Sequence, residues 1–151
     1  MGLDMYLTAE RYLWDFENSD RDTIESINTL FPEIDGFNVK EITADILYWR
    51  KANAIHDWFV KNVQDGVDEC QKSYVSKENL RSLLETCKAV LANPDQAETL
   101  LPSRNGFFFG GTEYDEWYFD GIKHTVEVLE NVIPRMETDF RLWMFYYQSS
   151  W

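Results

Sequence analysis

From Glu113 to Ile133 the residues Tyr114, Trp117, Tyr118, Gly121, Ile122, Thr125, Val128, Leu129 and Val132 recur on one helical face. A stripe of that length must be covered, so the rest of the chain has to supply a sheet or other helices to pack against it. Thr112 reads as the cap of this helix, and Pro134 closes it. Two more helices are expected. One runs from Arg50 to Gln64, with Ala52, Ile55, Phe59 and Val63 at helical spacing. The other runs from Lys77 to Ala92, capped by Ser76 and stopped by Asn93-Pro94, with Leu80, Leu83, Leu84, Cys87, Val90 and Leu91 as its stripe.

Period-two segments supply the covering sheet. Leu3 to Trp14 alternates as a half-buried strand does, and Phe37 to Tyr48 does so with a register break near Glu41. Between them, Asp22 and Glu25 stand at capping-box spacing before Ile24, Ile27 and Leu30-Phe31, a short helix ended by Pro32 and Gly36. Gly106 to Gly110 reads as a short buried strand, and Asp139 to Tyr147 as the last one. No repeat, linker or low-complexity tract divides the chain. The expectation is therefore a single compact α+β domain over residues 1–151, with three main helices on a small, mostly antiparallel sheet.

The charge balance narrows the functional classes. Lys plus Arg number 14 and Asp plus Glu 27, a formal net charge of -13. Direct binding of nucleic acid or an anionic membrane is disfavoured, because such affinity comes from cations meeting phosphates. An acidic chain suits a basic partner instead. The two cysteines, Cys70 and Cys87, read as cytosolic thiols in a chain whose core needs no disulfide. Residues 1–7 lack the basic and apolar regions of a secretory signal, and Tyr6 stands where a myristoylation pattern wants Ser or Thr. No apolar run reaches the ~18 residues of a membrane span. A cytoplasmic location is expected.

Two candidate sites emerge. The first is an acidic surface: Glu113, Asp115, Glu116 and Asp120, with Asp65, Asp68 and Glu69 as a second patch. Carboxylates so placed can occupy a basic groove where phosphates would otherwise lie. The second is a pocket built from Trp49, Arg50, Asn53, His56 and Asp57, joined by Gln148 and by the aromatics Phe107, Phe109, Tyr146 and Tyr147. On a helix, Arg50, Asn53 and Asp57 lie close together and offer a guanidinium fork, an amide and a carboxylate between two tryptophans. The plainer reading of the same residues pairs Arg50 with Asp57 and buries the tryptophans in the core.

Other chemistry has thin support. His56, His124 and the two cysteines lack the spacing of a zinc set, and Asp65 to Glu69 lacks that of a calcium loop, so no metal or cofactor is expected. No nucleophile motif is present, and catalysis is not expected. Gly110-Gly111 before a helix suggests an anion site, yet Glu113, Asp115 and Glu116 already answer the helix dipole.

The stretches MGLDMYL (1–7), YWRKANAIHDWFV (48–60), GFFFGGTEYDEWY (106–118) and FYYQSSW (145–151) resemble a family of small bacteriophage and prophage proteins to which no activity is attached. The resemblance implies a cytoplasmic accessory protein made during infection and aimed at a host factor. It carries no functional residues with it. Inhibition or redirection of a host protein through the acidic surface is the leading expectation, and a small-molecule or nucleotide pocket, in a sequestering protein or an unusual enzyme, the alternative. Aromatics near the tail, ending in Trp151, add the expectation of a homodimer.

Overall fold

The computed structural model describes residues 2–151; Met1, the first residue of the resembling stretch 1–7, lies outside the described residues. Strand β1 (Asp4–Tyr12) is the centre of the molecule. Its odd positions Met5, Leu7 and Ala9 are fully buried while Asp4, Tyr6 and Thr8 are half-buried, as the period of two requires. Helix α1 (Asn18–Leu30) and a 3-10 turn (Pro32–Ile34) lead into β2 (Glu41–Arg50), and a tight corner gives α2 (Asn53–Asn62). A two-residue β3 (Ser73–Tyr74) precedes α3 (Lys77–Ala92) and the one-turn α4 (Ala97–Leu100). After a loop come α5 (Glu116–Val132) and β4 (Met144–Ser150).

All pairings are antiparallel, in the order β2-β1-β4-β3. Asp4 lies opposite Arg50 on one side and Ser150 on the other. Helices α2, α3 and α5 cover one face of the sheet. There the core joins Leu47 and Trp49 of β2, Ile55 and Phe59 of α2, Leu80, Leu83, Cys87 and Val90 of α3, Ile122 and Leu129 of α5, and Phe145 and Tyr147 of β4. Burial pushes the Cys87 thiol up to about 12. No helix among the described residues is long and apolar enough to cross a membrane. The α+β class and the three principal helices stand as the sequence implies.

Several boundaries differ from expectation. The register break of β2 falls at Ile46, where Leu7 pairs with Leu47 but Thr8 with Asp45, and not near Glu41. Phe37 lies outside the strand and is exposed. Asp22 and Glu25 form no capping box: α1 begins earlier, and Asp20, near its start, accepts from Arg11 at 2.5 Å and from the backbone N–H of Trp14 at 3.0 Å. The first turn of α5 is capped by Asp115, whose carboxylate accepts from Tyr118 N, and not by Thr112. Gly106–Gly110 is a turn, with Phe107 in solvent and Phe109 wedged inward. Residues 139–142 are turns as well, so β4 starts later than the aromatic content suggests. The Ser76 cap of α3 is present and doubled, because Asn79 returns a bond to the Ser76 backbone.

Candidate functional site

The site grows from the corner between β2 and α2. Arg50 ends the strand, so it does not share a helix face with Asn53 and Asp57. The reason is Lys51, whose φ of +56° turns the chain and delays the helix to Asn53. Lys51 N donates to Leu3 O at 2.8 Å, and the Lys51 side chain lies along Gly110. A Cβ at Gly110 would sit 3.1 Å from that of Lys51, and its φ of +87° also requires glycine.

Behind the corner, the indole of Trp49 is buried and donates to Thr125 Oγ1 at 2.8 Å, which fastens β2 to α5. Asn53 is buried in the first turn of α2 and holds the loop before α5. Its amide donates to Phe109 O at 3.1 Å and Gly111 O at 2.7 Å, and its carbonyl accepts from Arg104 N at 2.9 Å. Loop, corner and helix together enclose a cleft of about 590 Å³, a size usual for ligand sites.

This cleft merges part of each sequence-derived site. One wall is Tyr48 to Ile55; the other is Gly110, Gly111, Glu113, Asp115 and, from α5, Trp117, Tyr118, Asp120, Ile122 and His124. Glu113 folds its carboxylate against Gly111. Asp120 also meets Lys123 at 3.1 Å. Arg50 and Lys51 stand on the opposite wall and form no ion pair among the described residues. Tyr48 gives its hydroxyl to Asp4, and that carboxylate raises the phenol's pKa. Trp117, expected in the core, lies in the first turn of α5, is 85% exposed and lines the cleft.

His56, Asp57, Asp68 and Gln148 lie elsewhere. His56 is fully buried between Tyr147 Oη (2.7 Å from Nδ1) and Asp68 Oδ2 (3.1 Å from Nε2). With Nε2–H donating to the carboxylate, Nδ1 accepts from the phenol. Burial holds the imidazole below its ordinary pKa despite Asp68, and raises that of Tyr147. Arg104 Nη1 lies 3.3 Å from both Asp57 and Asp68, and Lys61 reaches Asp57 at 2.5 Å. Asp57 therefore pairs with Arg104 and Lys61, and not with Arg50.

The His56 cluster has the residue types of a proton relay. Tyr147, however, has no exposed surface and stacks on Phe59 with centroids 3.9 Å apart, so the cluster fastens elements together instead of facing a substrate. Asp68 is turned inward and leaves the second acidic patch to Asp65 and Glu69. Gln148, outside the cleft, donates to Cys70 O. Glu116 is exposed but does not line the cleft. Trp151 donates to Asp68 Oδ1 at 3.1 Å and packs against Phe109, so its indole serves this chain. Lys51, which lines the cleft, and Arg104, which pairs with Asp57 and Asp68, are positions that sequence reasoning missed. Arg104 sits in a loop without periodicity, and the backbone turn at Lys51 leaves no trace in spacing.

Comparison of the chain with protein-family models, with curated proteins and with solved structures finds no match.

Proposed function

We propose that the protein is a non-enzymatic binding protein whose cleft receives a basic segment of a partner protein, and that occupancy blocks or redirects that partner. The observation that carries this reading is the wall formed by Glu113, Asp115 and Asp120 beside the exposed indole of Trp117. Carboxylates attract a Lys or Arg head group, and the indole face adds a cation–π contact. The net charge of -13 steers such a partner from a distance. In the phage setting that the sequence resemblance implies, the partner is a host protein with a basic surface, and the carboxylates stand in for phosphates.

Capture from bacterial lysate by the immobilised chain, repeated as salt is raised, tests this. Capture should weaken steeply with salt and vanish in the double variant Glu113→Lys, Asp120→Lys, while Arg50→Ala retains it. Capture indifferent to both salt and reversal would sink the reading. A second reading draws on Arg50 and Lys51, whose cations face the same cleft beside Tyr48 and Trp117 and would suit an anionic aromatic ligand such as a nucleotide. In that case a nucleotide raises the melting temperature, and Arg50→Ala removes the effect.

A further inference from the structure

The cleft adjoins a strand edge that the sheet leaves open. Among the described residues β2 pairs with β1 alone, so one long side of its ten residues is unoccupied. The bond from Lys51 N to Leu3 O, with Arg50 opposite Asp4, sets the phase: the backbones of Leu47, Trp49 and Lys51 face β1, and those of Tyr48 and Arg50 face outward. The bulge at Ile46 resets this phase and gives Asp45, Thr43 and Glu41 the outward positions beyond it. Tyr48 to Ala52 also line the cleft, so the outward amides and carbonyls of Tyr48 and Arg50 belong to residues of its wall.

We propose, resting on the cleft reading above, that the partner's basic segment binds as an extended strand added to the open edge of β2. Its backbone bonds to the outward groups of Tyr48 and Arg50. Side chains of one parity then reach Glu113, Asp115 and Asp120 across the cleft. Strand addition divides the work in the way such sites require: main-chain bonds supply affinity, and alternate side chains supply selectivity.

Charge decides the occupant. A second copy would bring another -13 and set the acidic outward positions Glu41 and Asp45 against their own kind. A lysine- or arginine-bearing segment meets complementary charge at Glu41 and Asp45 along the edge and at Glu113, Asp115 and Asp120 in the cleft, three carboxylates there against the two cations Arg50 and Lys51. The same charged residues protect the unoccupied edge from pairing with its own kind.

The test uses the whole chain with three synthetic heptapeptides of alternating lysine and valine. One is unmodified, and a second carries N-methyl groups on the backbone nitrogens of one edge. The N-methylated peptide keeps every charge and loses the donors of that edge; a third copy methylated on the opposite edge is the control. Strand addition predicts binding of the unmodified peptide at low salt and binding weaker by about tenfold or more for one of the two methylated forms only. It also predicts slower amide hydrogen exchange at Tyr48 and Arg50 in the complex.

Equal binding of all three peptides with unchanged exchange at Tyr48 and Arg50 would overturn the strand-addition proposal. If that binding were still lost in Glu113→Lys, Asp120→Lys, the cleft reading would survive it. Absence of binding by every peptide at low salt would overturn both.

Discussion

Asn53 spends its amide on three backbone groups of the segment that walls the cleft, the carbonyls of Phe109 and Gly111 and the N–H of Arg104. Replacing it with alanine removes all three bonds, of which the one to the buried Phe109 carbonyl is shielded from water and the other two are part-buried. Asn53→Ala is therefore expected to cost about 2–4 kcal/mol. Urea denaturation measures this, and a loss below about 0.5 kcal/mol would mean that the loop is held by other contacts. The sequence marks Asn53 as a polar residue set among aromatics, but as part of a pocket. Its bonds run to residues more than fifty positions away, and no local pattern encodes them. Arg50 is the complementary case. Its helical neighbourhood with Asn53 and Asp57 follows from spacing only if the helix begins before it, and the left-handed backbone of Lys51 prevents that.

The elements differ in how firmly they are held. Helices α3 and α5 bury continuous stripes, and α3 carries its own reciprocal cap, which is why both were legible from periodicity. Helix α1 buries only Asp20 and leaves Leu30 in solvent, with Trp14, Phe16, Phe31 and Phe37 exposed in the flanking segments. Its ordering rests on the Arg11–Asp20 pair and the Trp14 N–H more than on apolar cover. Native-state hydrogen exchange should find α1 amides opening locally, well below the global unfolding energy, while β1 and α3 exchange only on global unfolding. Exchange of α1 in step with β1 would show the helix to be part of the cooperative unit. The short β3 was illegible because two residues carry no period; it exists because Tyr146 and Tyr147 of β4 offer it partners.

At the scale of the molecule, the His56 cluster joins α2, the loop bearing Asp68, the loop bearing Arg104 and strand β4. Burial keeps the folded-state pKa of His56 below its ordinary 6.5. As pH falls through that value the unfolded chain takes up a proton first, so stability should decline below about 6.5 and level off above it. Urea midpoints at about pH 7.5 and 5.5 read this difference, and His56→Gln should reduce it; an unchanged difference would place the titration elsewhere.

The alternation of β1, the stripes of α3 and α5 and the excess of carboxylates are properties of the chain itself. Local spacing and composition were enough to set the α+β class, the principal helices and the acidic character. The tertiary structure alone decided that Arg50 and Lys51 face Glu113, Asp115 and Asp120 across one cleft, that Asp68 turns inward to His56, and that Trp117 stands in solvent. Each of these depends on contacts between segments far apart in sequence or on a single backbone turn, and neither leaves a periodic signal in the order of residues.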